Sequence, residues 1–332
     1  MNKLKRFFNV LLVSGCWLAL SWNALAQAPG STTEALKHAN AQRPGSVLIF
    51  NYFSSQAPYE TEDTQLSLTN TDRNGGSVQV NLYCYGVNQT TGVNGVTDHF
   101  LLLAPWQTAT FSASGIRPNV TGYCIAVAVN EFTGQPIKHN YLIGSASIKL
   151  ASGHAGSFNA QAIAARATPA AGINGLATLN FDGVTYDKLP GALAADALPS
   201  LADGNDTLLV VNNLSGNLLS SGLGNLTGQV NNAAGIAFGW NQPIIGAGQK
   251  QFTSHLTDSF PLISVGFSTV LPAGQTGWLR LSSTTPNQAL TGAVFYRNVN
   301  APGDVWQGAT NLRAISLINS SLTIPVLPPT DW

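Results

Sequence analysis

Five histidines are the first residues to test for chemistry: His38, His99, His139, His154 and His255. No two lie within four residues of each other, so none share a helix face as the zinc ligands of H-E-x-x-H do. A zinc centre would have to be assembled from distant loops. Ser254, His255 and Asp258 bring three triad residue types together in sequence. Catalytic triads, however, are assembled in space from separate segments. No G-x-S-x-G elbow occurs, so the common local signature of an exported hydrolase is missing.

Carboxylates are the next candidates. Glu60, Glu62 and Asp63 cluster ahead of a strand, and Asp182, Asp187, Asp203 and Asp206 fall in loops. A glycosidase holds two carboxyls about 5 to 9.5 Å apart across a sugar cleft, a distance that sequence spacing does not set. Asp belongs in turns for local reasons, so solvated loop carboxylates are the plainer reading. Asp203, Asn205 and Asp206 offer oxygen ligands that suit a structural calcium. They lack the alternate spacing and distal Glu of an EF-hand, and side-chain-stabilised turns use the same residues. No P-loop and no dinucleotide fingerprint occur, so no cofactor is expected beyond that calcium.

Aromatic residues remain. Trp106, Trp240, Trp278, Trp306 and Trp332 lie outside the N-terminal apolar segment, and Tyr52, Tyr59, Tyr83 and Tyr85 enrich the first part of the chain. Tyr83 and Tyr85 alternate with Leu82 and Cys84, which places them outward if Val80 and Leu82 face the core. Exposed aromatics stack on sugar rings or anchor a protein partner, and they also serve as ordinary cross-strand pairs. Tyr83, Tyr85 and Trp106 are the ligand-binding candidates. Trp278 alternates with Leu279 and is expected to support a core.

Composition narrows the partners. The chain has 332 residues, 44% hydrophobic and only 9% charged. An ordinary soluble protein carries about 25% charged residues. Lys and Arg total 15, as do Asp and Glu. There is no basic footprint for nucleic acid. High apolar content without net charge argues against disorder.

The N-terminus reads as an export signal. Lys3, Lys5 and Arg6 precede an apolar run from Phe7 to Trp22, and Ala24-Leu25-Ala26 forms an A-x-A cleavage site. Val13-Ser14-Gly15-Cys16 also resembles a lipoprotein box, in which Cys16 would carry lipid. The apolar run continues past Cys16 into a good cleavage site, which favours soluble export. Cleavage removes three cations, leaving 12 basic against 15 acidic residues. No later segment is apolar enough to cross a bilayer as a helix. The expected location is the cell envelope or the exterior.

The elements that must position these residues are short strands. Thr64–Thr69, Val78–Tyr85, Phe100–Ala104, Thr108–Ser112, Gly122–Val129 and Tyr141–Leu150 alternate or are β-prone, with turns between them. Asn74-Gly75-Gly76 and Asp182-Gly183 read as hairpin turns. No long amphipathic helix intervenes. The expected fold is therefore all-β: two tandem antiparallel β-sandwich modules joined by an Ala/Gly-rich connection with a short helix over Ser157–Ala167. The expected divisions are signal 1–26, linker 27–44, first module 45–150, connection 151–175, second module 176–327 and tail 328–332. Leu189–Asp206 reads as a Pro/Ala/Asp-rich crossing.

Asn70-Thr71-Asp72 after an alternating strand resembles modules of secreted bacterial proteins that carry no assigned activity. So does Leu271-Pro272-Ala273-Gly274-Gln275-Thr276-Gly277-Trp278-Leu279-Arg280-Leu281, followed by Leu290-Thr291-Gly292. The resemblance implies immunoglobulin-like or related β-sandwiches at the cell surface. Its motifs specify a turn and a packed strand, not a chemistry.

Export leaves Cys84 and Cys124 as the possible intramolecular disulfide in an oxidising compartment. Closing a loop of roughly 40 residues stabilises by about 3–4 kcal/mol on the chain-entropy model. Simple alternation opposes the pair. Cys84 shares a face with Val80 and Leu82, whereas Cys124 lies opposite Tyr123, Ile125 and Val127. The pair forms if the second strand is buried on both faces or a bulge shifts its register.

These readings converge on a non-catalytic exported protein acting in structure, adhesion or surface display, with a protein or glycan partner. A carbohydrate-binding protein using exposed aromatics is the alternative, and a glycan-active hydrolase the third. No motif sets an oligomeric state. The export reading is checked by intact-mass measurement of the mature protein: the chain should begin at Gln27, and a lipid-modified Cys16 at its start would refute soluble export.

Overall fold

The computed structural model describes residues 43–88, 90–91, 94–219, 223–234, 237–245, 249–253, 271–300 and 306–326. The expected export signal, Cys16, His38, the Ser254, His255 and Asp258 group and Trp332 lie outside them. So do the side chains of Trp240 and Trp306.

Alternation works as expected where a strand has one wet face. In Asp63–Asn70, Thr64, Leu66, Leu68 and Asn70 are buried while Gln65 is exposed. In chain order the strands are β1 (Val47–Ser54), β2 (Asp63–Asn70), β3 (Val78–Asn88), β4 (Asn94–Leu103) and β5 (Thr108–Ser112). A single helical turn, α1 (Ala113–Ile116), is capped by Ser112, whose hydroxyl accepts from the Gly115 N–H. Then come β6 (Val120–Val129), β7 (Leu142–Lys149), β8 (Ala155–Asn159), β9 (Gln161–Ile163), β10 (Leu176–Phe181), β11 (Leu189–Pro199) and β12 (Asn205–Asn213). The remainder are β13 (Gly216–Asn217), β14 (Leu223–Asn232), β15 (Ala237–Ile245), β16 (Gln249–Thr253), β17 (Thr276–Ser283), β18 (Leu290–Asn298), β19 (Trp306–Asn311), β20 (Arg313–Ile318) and β21 (Ser320–Pro325).

The protein is all-β, as expected, with 62% strand and 3% helix, so helices contribute no layer. The two tandem sandwiches are not what forms. Among the described residues the strands make five small sheets set in a ring as the blades of a five-bladed β-propeller. Sheet I has the order β4-β3-β6-β1-β9 and sheet II the order β5-β2-β7-β8. Sheet III is β16-β12-β18-β19, sheet IV is β15-β14-β17-β11-β20 and sheet V is β10-β21-β13. No blade is a simple meander, because successive strands keep moving between sheets.

Core sharing explains why no half closes on itself. One core cluster joins Leu48 and Phe50 of sheet I to Leu66 and Leu68 of sheet II, and takes in Val210 and Phe295 of sheet III. A second joins the other face of sheet I, through Tyr83, Tyr123 and Ile125, to Leu179 and Ile324 of sheet V and Leu189 of sheet IV. The third joins Leu209 and Val294 of sheet III to Leu279 and Leu281 of sheet IV. Sheets II and III meet edge to edge, where the Asn311 amide donates to Asn159 O at 2.7 Å and Gln307 to Gly153 O at 2.9 Å.

Two local expectations also change. The connection over Ser157–Ala167 contains β8 and β9 rather than a helix, because β9 completes sheet I against β1. The supposed crossing from Leu189 contains β11, which pairs with β17 and β20. Long-range pairing overrides the weak helix preference of an Ala/Gly-rich run.

Cys84 and Cys124 are bonded and stand directly opposite each other in the β3–β6 ladder, with Cα atoms 4.1 Å apart. The condition named from sequence holds: β6 is buried along its whole length. Both cysteines face the sheet II side, with Leu82 and Ala126. Gly122 lets the same two strands close. A Cβ there would lie 1.9 Å from Tyr85 O.

Sheets I and III are tied by a buried amide cluster. A register shift between Phe50 and Phe53 marks a bulge in β1 that contains Asn51. The Asn51 amide donates to Gln161 Oε1 at 3.1 Å, Gly292 O at 3.0 Å and Asn311 Oδ1 at 2.8 Å. The Asn212 amide donates to Asn51 O at 2.8 Å. Asn51→Ala leaves several buried acceptors unmet, and should cost about 3 kcal/mol. Urea unfolding checks this; a loss below about 1 kcal/mol would show that the cluster does not hold the sheets.

Candidate functional site

The sequence candidates fare unequally. Tyr83 and Tyr85, expected to point outward, are 1% and 7% exposed. Their face of sheet I is covered by sheet V, so both faces of β3 are core. The Tyr83 hydroxyl donates to Pro325 O at 2.6 Å, and the Tyr85 and Tyr123 rings are 5.4 Å apart. Burial, then the nearby Asp98 charge, holds the Tyr83 phenol well above its ordinary pKa. Trp278 departs in the opposite sense. Gly277, Leu279 and Leu281 take the inner face of β17, leaving Trp278 45% exposed.

The polar candidates are held by protein partners. Glu62 is buried and accepts from the Ser54 hydroxyl and the Ala151 N–H. Asp63 accepts from Ser114 N–H and hydroxyl. Asp187, read as a loop carboxylate, is fully buried and pairs with Arg166 at 2.6 Å and Arg43 at 2.9 Å. Of the calcium candidates, Asp203 accepts from Gly274 N–H and Asn205 from the Asn298 amide, while Asp206 lies 3.6 Å from buried His154. Among the described residues, no three His, Cys, Asp or Glu side chains converge on a possible metal position. His99 meets Ile116 O, and His139 meets Asn70 Oδ1 at 3.0 Å. Ser152 contacts His154 Nδ1 at 3.0 Å, but it also accepts from the His154 N–H, as a local turn does.

Trp106 remains exposed and is held in an unusual backbone. Ala104-Pro105-Trp106-Gln107 forms a tight turn closed by Gln107 N–H to Ala104 O at 3.0 Å. Pro stands at the second position, and Trp106 at the third has φ 61°. That is the arrangement of a type II turn, where Gly is normally required third. A bulky residue with positive φ carries strain on the order of 1–2 kcal/mol. The turn is braced from β2: Asn70 donates its N–H to Gln107 O, and its amide to Leu103 O. Arg73 covers one face of the Trp106 ring at 4.9 Å from its centroid. The ring is nonetheless 54% exposed.

The turn leads into β5, an edge strand of sheet II. Thr71 donates to Tyr141 O, which places exposed Tyr141 on the other side of the Asn70–Thr71 corner from Trp106. Cross-strand rows then run over the sheet. The first is Thr108, Thr69 and Ile143; the second Thr110, Ser67, Ser145 and Asn159; the third Ser112, Gln65, Ser147 and Ser157. Hydroxyls pair across β2 and β5, Thr69 with Thr108 at 2.7 Å and Ser67 with Thr110 at 3.1 Å. These residues were not singled out from sequence. Their signal is the polar half of the alternation in β2 and β5, which reads as ordinary wet surface.

No family model matches the sequence, and no curated protein matches it either. Among solved structures, Thermotoga maritima 1070 is 11% identical over 35% of this chain and 90% of its own, with a TM-score of 0.23. Bacteroides uniformis beta-glucuronidase 2 is 10% identical over 84% of this chain, which spans 28% of its length, at TM-score 0.15. The major pilin of Streptococcus pyogenes is 9% identical over 84% of this chain and 98% of its own, at 0.19. Likenesses at this level carry no argument about function.

The strained turn makes a direct prediction. Only Gly relieves a positive φ, so Trp106→Gly should be more stable than Trp106→Ala by about 1 kcal/mol. Equal unfolding midpoints for the two variants would show that the turn is unstrained.

Proposed function

We propose that the protein is exported and non-catalytic, and acts in adhesion or surface display by holding glycans against the outer face of sheet II. The observation that carries this reading is Trp106, a large aromatic at a turn position that favours Gly, with one ring face packed by Arg73 and the rest exposed. Strain of this kind persists where the surrounding structure enforces it, and it concentrates at ligand-contacting sites. Aromatic rings are an apolar platform for the C–H face of a sugar, while hydroxyl and amide side chains meet its polar edge. Trp106 and Tyr141 supply the first, and the rows of sheet II the second. Carboxylates that a hydrolase would need are engaged in structural contacts at Glu62, Asp63 and Asp187.

Glycan-array screening followed by titration tests the reading. Trp106→Ala should weaken binding to any glycan hit at least tenfold, about 1.4 kcal/mol, while leaving the circular dichroism spectrum unchanged. Binding that is indifferent to Trp106 would remove the site, and release of reducing sugar from a bound glycan would overturn the non-catalytic assignment.

A further inference from the structure

We infer that β4 is a docking edge on which a second copy of this chain pairs through its own β4, extending sheet I across a two-fold axis. β4 ends sheet I, with β3 on one side and, among the described residues, no strand on the other. It is 10 residues long, and its ladder to β3 runs without a register shift from Val78–Leu103 to Val87–Asn94. An edge of this kind presents a row of unpaired N–H and C=O groups to any extended chain.

The other described edges are each blunted. β5, β9, β10, β13 and β16 have six residues or fewer. β15 carries Pro243, which has no N–H to offer. β20 is interrupted by register shifts against β11. β8 and β19 face each other where sheets II and III meet. Shortness, proline, lysine and bulges are the devices that keep sheet edges from pairing, and β4 has none of them.

Arg117 shows which groups of β4 point outward. One of its guanidinium nitrogens donates to both Cys84 O and Gly95 O. Both carbonyls therefore point into the gap between β3 and β4. Backbone groups of an antiparallel pair alternate in direction, so the N–H and C=O of Val96, Asp98, Phe100 and Leu102 face away from β3. The side chains of these four share the face of Tyr83 and Tyr85, and Leu102 is 57% exposed.

Symmetry and charge then select the occupant and its register. A two-fold axis normal to the sheet keeps every side chain on its own face, so it passes through a residue position and not between two. Centred on Asp98, the axis would set that carboxylate against its own copy, which is destabilising. Centred on His99, it sets Val96 opposite Leu102 of the second copy and Asp98 opposite Phe100. All four outward-pointing residues then meet one another, and apolar Val96 covers exposed Leu102. β4 thereby supplies its own complement. With 9% charged residues, the chain carries little to repel its copy.

Sedimentation equilibrium of the mature protein over about 1–500 µM tests this, because one strand pair is a small interface of weak affinity. A monomer–dimer equilibrium should appear. Leu102→Lys, at an exposed position, should weaken dimerisation tenfold or more. So should Asp98→Pro, which removes an outward N–H and leaves the ladder to β3 in place. Urea midpoints report whether each variant keeps the monomer fold. His99→Cys should cross-link the dimer on oxidation, because residues facing each other without hydrogen bonds bring their Cα atoms to about 4.5 Å. Asp98→Cys should not cross-link. A protein that stays monomeric at every concentration overturns the inference, even if it binds a foreign strand. A dimer that tolerates both Leu102→Lys and Asp98→Pro, or one that cross-links through Asp98→Cys in preference to His99→Cys, overturns it as well.

Discussion

The central strands of sheet I have water on neither face, and the other sheets are arranged around that fact. Its β1, β3 and β6 strands are buried on both sides, with sheet II against one face and sheet V against the other. Burial of this extent removes a large apolar area from water, worth on the order of 25 cal/mol per Å². It also means that any polar side chain on these strands needs a partner inside the protein. Asn51 meets that demand by reaching across to Gly292, Asn311 and Asn212, and so links sheet I to sheet III. The disulfide between β3 and β6 lies in the same doubly covered sheet.

Charged groups inside the fold act as ties between segments distant in sequence. Asp187 draws together Arg43, ahead of the first strand, and Arg166, after β9. Glu62 binds the end of β1 to the turn after β7 through Ser54 and Ala151. Removing one member of such a buried set leaves the others without compensation, which costs more than the set adds over apolar packing. These carboxylates look like catalytic candidates on paper because they are charged and clustered. In the structure their oxygens are already committed to holding chain segments.

Sheet II differs from the central strands of sheet I in having one wet face. The inner face of β2 is Leu66 and Leu68, and the outer is Gln65, Ser67 and Thr69. The strained turn at Trp106 then adds one large aromatic ring at its border. Asn70 links the two, because it ends β2 and braces the turn with its backbone and its amide.

The sequence by itself determined the secondary structure class and the membership of the disulfide. The two turns it offered as hairpins close none: Asn74-Gly75-Gly76 joins β2 of sheet II to β3 of sheet I, and β10, ahead of Asp182-Gly183, pairs with β21. Period-two alternation in β2 and β17 and the absence of any long helical pattern are local properties, and local properties are legible one residue at a time. The expectation of export leaves Cys84 with Cys124 as the available pair. Tertiary structure alone decided which strands have two buried faces. Tyr83 and Tyr85 read as outward-facing until sheet V covers them, and Trp278 reads as core until Gly277 and Leu279 take the inner side of β17. The same holds for the sheets: strands that pair are often far apart in sequence, as β10 with β21 and β11 with β20 are. Pairing of that kind depends on which faces can be buried together in three dimensions, and no window of neighbouring residues contains that information.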